Sequence, residues 1–386
     1  MKKVAVVIPK YGLAGGAEQF AQILTNSLIA RTGYHYHVFA NRYRAEENNV
    51  VFHHLPLLTF PKFLTTVSFA YFAAKQINQN NYSLVHSHER IFFADIFTMH
   101  GIPHRYWVEN IRRKRISLFD MTTDWVERRL VLKGNCRKFV AVSRLTKEIF
   151  LSSYDVSEEK IAVIHPGVDL PDLTGREEER CRMRRELGIP LDVPVMIFVS
   201  MNFEIKGLAE SIEALAELKK QKQNLKLIVV GKGNINKFRK AATQAGVGQD
   251  VVFTGAVNKD KLMKLYLSSD FLIMLSRFDT FGMVVLEAMT AGLPAIISNN
   301  VGAMDIIREG ENGFVVAKFS DIVSRIKTLL AENTRAVMKE NARQTAKGCS
   351  WDEAAKKYAA LYEEILADKV KNGIPGQSPV SNKVTP

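Results

Sequence analysis

The sequence predicts an α/β fold in which two doubly wound domains follow one another along the chain. Three observations support this prediction. The length of 386 residues suits two domains. Short apolar strands alternate with amphipathic helices, and the alternation starts again after a charged stretch that contains Pro171, Gly175 and Pro190. In such folds ligands bind at the carboxyl ends of the parallel strands, so we expect the ligand site in a cleft between the domains.

The first domain is predicted to span residues 1–168. It begins with the apolar run 4–9, glycines at positions 12, 15 and 16, and a helical pattern over 17–30, which is the order of a buried strand, a glycine loop and a helix. Short apolar runs and apolar spacings of three and four residues predict the elements that follow. The strands are expected at 36–40, 50–55, 83–86, 139–142 and 161–164, and the helices at 61–79 and 145–152.

The second domain is predicted to span residues 169–349. Its strands are expected at 195–199, 225–230, 251–254, 271–275, 295–298 and 314–316, and its helices at 176–185, 207–220, 235–245, 259–268 and 284–291. An amphipathic pattern over 351–367 predicts a C-terminal helix at 350–368. Residues 369–386 contain Gly, Pro, Ser and Asn without an apolar period, which predicts a disordered tail.

The composition excludes several classes of protein. A hydrophobic content of 47% with 24% charged residues is typical of a globular chain and excludes a disordered one. The three cysteines form no CxxC pair, which argues against a disulfide framework or a structural zinc site and favours a reducing compartment. The apolar stretch at the N-terminus is too short for a signal peptide, and no apolar run reaches the roughly 20 residues that span a bilayer. We therefore expect a cytoplasmic protein.

The positive charge is concentrated in the first part of the chain. Residues 1–150 contain 21 basic and 10 acidic side chains, whereas residues 151–386 contain 32 and 30. Such a basic half attracts phosphates, nucleic acid or an anionic membrane. Its cations alternate with aromatic and aliphatic side chains, as in helices that lie on a membrane, and no RNA- or DNA-binding motif is present. The candidates for acceptor or membrane contact are Arg105, Trp107, Arg112, Arg113, Lys114 and Arg115.

This basic segment leaves three interpretations open. It could contact the inner face of the cytoplasmic membrane as a peripheral surface, bind an acceptor that carries phosphates, or form an exposed helical hairpin with a solvated basic face. A nucleic-acid partner is not expected.

The stretch 277–294 contains the most informative pattern. Asp279 follows a predicted strand, and the Phe-Gly-Met of residues 281–283 begins a predicted helix, whose free N–H groups suit a phosphate. Glu287 lies eight residues beyond Asp279, so the two carboxylates are roughly 12 Å apart at most. That spacing suits the two ends of one elongated ligand. The alternative is an N-capping Asp279 with a solvated Glu287.

This stretch resembles the signature of the retaining family 4 glycosyltransferases of the GT-B fold. That signature has two glutamates separated by seven residues, with Phe-Gly after the first and Glu-Ala-Met at the second. Asp279 replaces the first glutamate here. The resemblance extends over about residues 1–367, and in the basic segment it is closest to the lipopolysaccharide core α-glucosyltransferases. It includes shorter motifs at 15–18, 139–143, 165–169, 206–207, 231–233, 253–255, 291–294 and 311–314.

The resemblance implies a GT-B fold, with two Rossmann-like domains facing across a cleft and a C-terminal helix crossing back to the first domain. It implies that Glu287 holds the ribose hydroxyls of a nucleotide, that Asp279 contacts the donor sugar, and that Lys206 binds the diphosphate. Family members usually have an arginine five residues before that lysine, whereas this chain has Met201, followed by Asn202. Without the resemblance, Lys206 would be interpreted as a surface lysine.

The family also implies a histidine beside the donor sugar. His100 is the first candidate, and His86 and His88 are alternatives. The catalytic residues would be His100, Lys206, Asp279 and Glu287. The donor is expected to contact Gly15, Gly16, Asn202, Lys206, Gly231, Gly255, Asp279, Thr280, Phe281, Gly282, Met283 and Glu287.

The implied reaction is retaining transfer of a hexose from a nucleotide-diphosphate sugar to a lipopolysaccharide-core or other membrane glycolipid or polysaccharide. UDP-glucose is the favoured donor, with UDP-galactose, UDP-N-acetylglucosamine and GDP-mannose as alternatives. The leaving phosphate would take the acceptor proton, so no general base, metal or other cofactor is expected, and no carboxylate is evident in the loops of the first domain. A non-catalytic nucleotide-sugar-binding protein of the same fold is the alternative function.

Overall fold

The computed structural model describes residues 2–13, 15–44 and 49–372. The chain divides into two compact units. The first contains the chain up to Gly167 together with the helix that begins at Trp351, and the second is the continuous segment Val168–Ser350.

The first unit is built on a sheet of seven parallel strands. The strands of this unit are β1 Lys3–Val7, β2 Lys10–Tyr11, β3 His35–Ala40, β4 Arg42–Tyr43, β5 Val50–His54, β6 Leu84–Ser87, β7 Ala94–Met99, β8 Cys136–Ala141 and β9 Ile161–Val163. Their order in the main sheet is β5-β3-β1-β6-β7-β8-β9, and the short strands β2 and β4 pair separately. The helices are α1 Gly16–Thr32, α2 Leu64–Asn78, α3 His104–Tyr106, which continues as a π-helical turn over Trp107–Ile111, α4 Leu118–Leu132 and α5 Arg144–Ser153.

Strand β7 lies inside this sheet, although the apolar pattern of the sequence predicts no element there. Asp95 interrupts its apolar run, and a charged residue is rarely buried unless it is paired. In the structure Asp95 Oδ2 accepts a hydrogen bond from the backbone N–H of Val85 at 2.8 Å and lies 2.7 Å from Lys369 Nζ. These partners allow the carboxylate to be buried in a strand that the apolar pattern alone does not reveal.

The second unit repeats this architecture with a sheet of six parallel strands. Its strands are β10 Val195–Ser200, β11 Lys226–Gly231, β12 Val251–Gly255, β13 Phe271–Met274, β14 Ala295–Ser298 and β15 Gly313–Val316, in the order β12-β11-β10-β13-β14-β15. Its helices are α6 Arg176–Glu186, α7 Leu208–Lys220, α8 Ile235–Gln244, α9 Lys259–Ser268, α10 Met283–Thr290, α11 Phe319–Leu330 and α12 Glu332–Lys347. The predicted α/β fold with two doubly wound sheets is therefore confirmed.

The C-terminal helix α13, Trp351–Lys371, belongs to the first unit and packs against α1. Its own side chains Tyr358 and Tyr362 are fully buried. The structure corrects the predicted start of the tail, because the helix continues past residue 368 to Lys371. Its last turn is held by Lys369, which is buried and bonded to Asp95. The rest of the predicted tail, residues 373–386, lies outside the described residues.

In each sheet the chain adds strands first on one side of its first main strand and then on the other side, so the strand order reverses at one point. The reversal lies between β1 and β6 in the first unit and between β10 and β13 in the second. The helices that follow these neighbouring strands lie on opposite faces, so their loops separate and leave a crevice at the carboxyl edge, where ligands of such sheets bind. The loops after β1, β6, β10 and β13 are therefore the first places to look for a site.

Candidate functional site

Lys206 and Asp279 meet at the reversal point of the second sheet. Lys206 lies on the loop after β10, and Asp279 lies on the loop after β13. The Nζ of Lys206 is 2.5 Å from Oδ2 of Asp279 and also donates to the carbonyl oxygen of Phe278 at 3.2 Å. Each side chain is about one-fifth exposed, with 22% for Lys206 and 20% for Asp279. The alternative of a surface lysine is therefore wrong, because this ammonium is held against the neighbouring loop.

Glycines allow these loops to pack this closely. Gly207 has φ +83°, and a Cβ at this position would lie 2.2 Å from the carbonyl oxygen of Leu275. The backbone N–H of Arg277 donates to the carbonyl oxygen of Ile205 at 2.8 Å. Only a residue without a side chain fits against the end of β13, and this close fit places Lys206 beside Asp279.

Asp279 also organises the turn that precedes α10. Its Oδ1 accepts a hydrogen bond from the backbone N–H of Phe281 at 3.1 Å. Gly282 follows in the left-handed region with φ +92°, and α10 starts at Met283 without a side-chain cap. Asp279 therefore stabilises the turn and does not cap the helix itself. The start of α10 presents backbone N–H groups and the positive end of the helix dipole, which suit an anion.

Glu287 lies on α10, one turn beyond its start, and is partly buried. The hydroxyl of Tyr266 donates to Oε2 of Glu287 at 3.4 Å. Burial raises the pKa of the Glu287 carboxyl above its ordinary value, and the hydrogen bond from Tyr266 opposes this shift in part. The alternative of a solvated carboxylate is therefore wrong. A partly buried acceptor on the helix whose N-terminus suits a phosphate is positioned to bind a diol of the same ligand.

Glu287→Gln is expected to raise the melting temperature, Tm, at pH 8, and the gain should disappear as the pH falls toward 4. The raised pKa means that ionised Glu287 is less favourable in the folded protein than in the unfolded chain. That cost is present above the raised pKa and vanishes below the ordinary carboxyl pKa, where both states are protonated. A neutral amide avoids the cost and still accepts the bond from Tyr266.

Scanning calorimetry across this pH range checks the expectation. Glu213→Gln, at an exposed position of α7 in the same unit, is the control and should show no such pH dependence. A Tm difference for Glu287→Gln that is the same at every pH would contradict the interpretation.

The remaining predicted donor contacts of the second unit lie at the same strand edge. Asn202 Oδ1 accepts a hydrogen bond from the backbone N–H of Ile205 at 3.2 Å, so this residue shapes the turn that carries Lys206. Gly231 and Gly255 end the neighbouring strands β11 and β12. Met201, where the family usually has an arginine, is 67% exposed. Lys206 is the one cation between residues 201 and 207 of the sequence.

The three candidate histidines of the first unit lie side by side, with ring centroids 4.3 Å apart for His86 and His88 and 5.2 Å apart for His88 and His100. His86 bonds to the hydroxyls of Tyr362 at 2.7 Å and Thr98 at 2.8 Å, so it is occupied inside the unit. His88 Nδ1 lies 2.9 Å from His100 Nε2. Burial lowers the pKa of His100 to about 4 and that of His86 to about 3, and the pKa of His88 is also well below its ordinary value. All three imidazoles are therefore neutral at pH 7.

His88 and His100 line a cavity of about 250 Å³ that lies wholly within the first unit. Its other polar walls are Glu89, Arg90 and Glu127. The predicted absence of a carboxylate from the loops of this domain is therefore wrong, because Glu89 lies on the loop after β6, two residues past the end of the strand. The run His-Ser-His-Glu-Arg at 86–90 contains this carboxylate next to the two histidines that the resemblance indicates.

The glycines at the start of α1 lie beside this cavity, since Ala17 is part of its wall. Gly15 precedes the helix with φ +153°, and α1 begins at Gly16 without a side-chain cap. A Cβ on Gly16 would meet no atom within 4 Å, so open space surrounds this backbone. The predicted donor contacts Gly15 and Gly16 and the predicted catalytic His100 thus share one edge of the first sheet.

The basic segment is only partly free to bind a ligand. Arg105 lies 3.1 Å from Asp124, and Arg112 lies 3.8 Å from Asp120. Trp107 is partly buried in the π-helical turn. Within the described residues Arg113, Lys114 and Arg115 are exposed and form no ion pair. The free charge of the segment is therefore concentrated in these three residues.

Helix α4 presents an apolar stripe next to that charge. Its residues 118, 121, 125 and 132 follow helical spacing on one face. Their exposed fractions are 65% for Leu118, 54% for Met121, 48% for Trp125 and 51% for Leu132. The sequence predicted cations interleaved with apolar residues, and the structure places them on an exposed surface.

The described residues contain neither a membrane-spanning helix nor a cluster of metal ligands. None of the helices in the described ranges combines the length and the apolar character that a membrane span needs. No group of three or more His, Cys, Asp and Glu side chains in those ranges is arranged to hold a metal ion. The expected independence of the chemistry from metals stays a prediction.

Two family models match the chain, one in each unit. The model described as Glycosyltransferase Family 4 matches residues 14–171. The model described as Glycosyl transferases group 1 matches residues 179–345. The second match contains the loops of Lys206 and Asp279 and the helix of Glu287.

Two curated relatives are similar to the chain in sequence. An uncharacterized glycosyltransferase of Methanocaldococcus jannaschii is 28% identical, over 94% of this chain and 98% of the relative. The D-inositol 3-phosphate glycosyltransferase of Corynebacterium efficiens is 30% identical, over 58% of this chain and 55% of the relative. The chain thus spans almost the whole of the first relative but matches only about half the length of the second.

Two solved structures show the same fold. WaaG, a glycosyltransferase involved in lipopolysaccharide biosynthesis, matches with a TM-score of 0.75 at 21% identity, over 93% of this chain and 99% of that chain. Anabaena HepE in complex with UDP-glucose matches with a TM-score of 0.71 at 17% identity, over 94% of this chain and 100% of that chain.

Proposed function

This chain belongs to family 4 of the glycosyltransferases and has the GT-B fold, and we propose that it is a retaining enzyme that takes a hexose from UDP-glucose. The acceptor in this proposal is a sugar of the lipopolysaccharide core or of another membrane glycolipid or polysaccharide. A bond from the anomeric carbon to the phosphate oxygen breaks, and a bond from that carbon to the acceptor oxygen forms on the same face. The acceptor proton passes to the leaving phosphate.

The observation that carries the proposal is the pairing of Lys206 with Asp279 beside the start of α10. A cation and uncapped helix N–H groups together suit a diphosphate. The carboxylate of Asp279, one methylene shorter than the family glutamate, would accept hydroxyls of the donor sugar. Glu287, on the same helix, would accept those of the ribose. Because Met201 replaces the usual arginine, Lys206 would neutralise the leaving group without a second cation from its own loop.

In this proposal His100 of the first unit contacts the donor sugar. Its imidazole is neutral, since burial lowers its pKa to about 4, so it would stabilise the sugar by hydrogen bonding and not by charge. Its contact with His88 at 2.9 Å holds the ring in place. Gly15 and Gly16 would let the backbone approach the phosphates. His86 has no place in this site, because its two ring nitrogens bond to Tyr362 and Thr98.

A thermal-shift panel tests the nature of the donor. A ligand at a hundred times its dissociation constant stabilises the folded state by about 2.7 kcal/mol, which corresponds to a rise in Tm of several degrees. We expect this rise with UDP and UDP-glucose and no rise with GDP or GDP-mannose. The complex of HepE with UDP-glucose supports this choice. A response to GDP alone would favour the GDP-mannose alternative, and no response to any nucleotide would contradict the proposal.

The proposal includes peripheral contact with the inner face of the cytoplasmic membrane through Arg113, Lys114, Arg115 and the apolar stripe of α4. Each cation near an anionic surface contributes about 1 kcal/mol to binding. Replacing these three residues by serine is therefore expected to weaken binding to vesicles of phosphatidylcholine and phosphatidylglycerol by roughly a hundredfold at low salt. Co-sedimentation at two salt concentrations measures the change.

The matched control replaces three exposed lysines of the second unit, Lys240, Lys327 and Lys347, by serine. This variant changes the net charge equally and should bind the vesicles almost as the unmodified protein does. If both triple variants lose the same affinity, net charge and not the basic segment determines binding, and the proposed membrane surface is wrong.

A further inference from the structure

Glu89 lines the cavity of the first unit and has one carboxylate oxygen that is held by the protein and one that is not. Its Oε1 accepts hydrogen bonds from the backbone N–H of Arg90 at 2.7 Å and from Nη1 of Arg90 at 3.4 Å. Within the described residues no donor is bonded to Oε2. The side chain is 33% exposed, so it is neither buried in the protein nor free in solvent. One oxygen fixes the carboxylate, and the other is available to a ligand.

Arg90 is itself held by buried partners. Its Nε lies 2.5 Å from Oε2 of Glu127, and its Nη2 donates to the carbonyl oxygen of Ile102 at 3.1 Å. The other oxygen of Glu127 accepts from the hydroxyl of Tyr154 at 2.5 Å and from the backbone N–H of His104 at 2.9 Å. Glu127 is therefore fully engaged, and the guanidinium that orients Glu89 has little freedom to move. A rigid support of this kind is typical of binding sites.

The charges around the cavity leave one negative charge without a partner of its own. Arg90 is the one cation of the lining, and it faces the carboxylates of both Glu89 and Glu127. His88 and His100 add no charge at pH 7, because burial lowers their pKa values. A phosphate would be repelled by this formal charge of −1, whereas a sugar hydroxyl would donate a charge-assisted hydrogen bond to the carboxylate.

The remaining walls of the cavity are apolar. Phe97, Met99, Ile102 and Phe150 line it. A pyranose ring has a C–H face that packs on apolar side chains and hydroxyls around its edge. The volume of about 250 Å³ lies just below the roughly 300–1,000 Å³ of drug-sized ligand pockets and suits a single ring.

From these contacts we infer that Glu89 binds a hydroxyl of the acceptor, and that the acceptor sugar which enters this cavity carries no phosphate. This inference rests on the proposed glycosyltransferase function and adds to it the chemical class of the reacting end of the acceptor. Of the proposed donor residues, Lys206, Asp279 and Glu287 lie in the second unit. His100, the proposed contact of the donor sugar, lines this cavity of the first unit together with Glu89. Phosphates elsewhere on the acceptor would have to contact other cations, such as Arg113, Lys114 and Arg115.

Saturation-transfer NMR with simple glycosides tests the inference. The probes are the methyl α-glycosides of glucose, mannose and galactose, and the 6-phosphate of each. We expect at least one neutral glycoside to bind the unmodified protein more tightly than its 6-phosphate does. Glu89→Gln should weaken that binding roughly tenfold, and Glu89→Ala should weaken it up to a hundredfold, since hydrogen bonds to charged groups have this strength.

Glu148→Gln is the control, because Glu148 is an exposed carboxylate on α5 of the same unit and is not part of the cavity lining. It should bind the glycosides as the unmodified protein does. The inference is overturned if Glu89→Ala binds them equally well, if no neutral glycoside binds the unmodified protein, or if the 6-phosphates bind more tightly.

Thermal shifts with UDP-glucose, measured on the same samples, separate this inference from the proposed function. We expect the Glu89 variants to respond to UDP-glucose as the unmodified protein does. If the unmodified protein itself gives no response to any nucleotide, the proposed function fails, whatever the glycosides show.

Discussion

Lys206→Ala is expected to lower the turnover number of transfer, kcat, by about a hundred- to a thousandfold. Removing one preorganised donor from a developing negative charge costs about 2.7–4 kcal/mol of transition-state stabilisation. The upper part of this range applies here, because Lys206 is the one cation on the loop after β10 and its Nζ is already fixed 2.5 Å from Asp279. The measurement is steady-state transfer or donor hydrolysis with UDP-glucose.

Two further variants make the result specific. Lys206→Arg keeps the charge but not the shape of the ammonium, so it should retain an intermediate rate. Lys240→Ala removes an exposed lysine from α8 of the same unit and should leave kcat unchanged. Because the alanine variant also leaves Asp279 without its partner, its Tm should be measured in parallel. A kcat for Lys206→Ala within threefold of the unmodified value would show that Lys206 does not stabilise the leaving group.

Gly231→Ala is expected to destabilise the second unit far more than Gly255→Ala does. Both glycines end a strand with positive φ, +118° and +72°, so both substitutions cost about 1–2 kcal/mol of backbone strain. Only at Gly231 would the new Cβ collide with the backbone, at 1.7 Å from the carbonyl oxygen of Ser200, whereas at Gly255 no atom lies within 4 Å. We expect at least about 2 kcal/mol of additional loss at Gly231, as for other overpacked sites.

Moving the carbonyl group of Ser200 away from the new Cβ would cost a hydrogen bond, because its oxygen also accepts from the backbone N–H of Lys232 at 3.0 Å. Ser200 ends β10, just before the loop that carries Lys206. The variant should therefore also displace that loop and weaken UDP-glucose binding. Urea denaturation of the unmodified protein and both variants measures the difference. Equal losses of stability for the two variants would contradict this account of Gly231.

Most of the fold could be predicted from the sequence, because buried parallel strands are apolar runs and their helices have apolar spacing. Helices α11 and α12 lay outside the prediction, although Ile322, Ile326 and Leu329 of α11 have that spacing and are buried. Strand β7 could not be predicted from the apolar pattern, for a physical reason. Asp95 makes the run look polar, and its partner Lys369 lies 274 positions away in the sequence.

The candidate site could be predicted as a set of residues but not as an arrangement. The resemblance indicated Lys206 and Asp279 as separate ligand contacts, whereas the structure pairs them with each other. They are 73 positions apart, and only the adjacency of β10 and β13 brings them together. Glu89 was missed for a related reason. Its proximity to His100 depends on the parallel pairing of β6 with β7, which no local pattern encodes.

The C-terminal helix has a consequence for the order in which the protein matures on the ribosome. Helix α13 supplies Tyr358 and Tyr362, which bond to Thr98 and His86 in the first unit. The first unit is therefore incomplete until the last described helix has been synthesised, whereas the second unit is one uninterrupted segment. Domains generally fold as their chains emerge. The second unit can therefore complete its folding before the first unit does, although it is translated later. Until α13 has been synthesised, part of the apolar surface of the first unit stays uncovered.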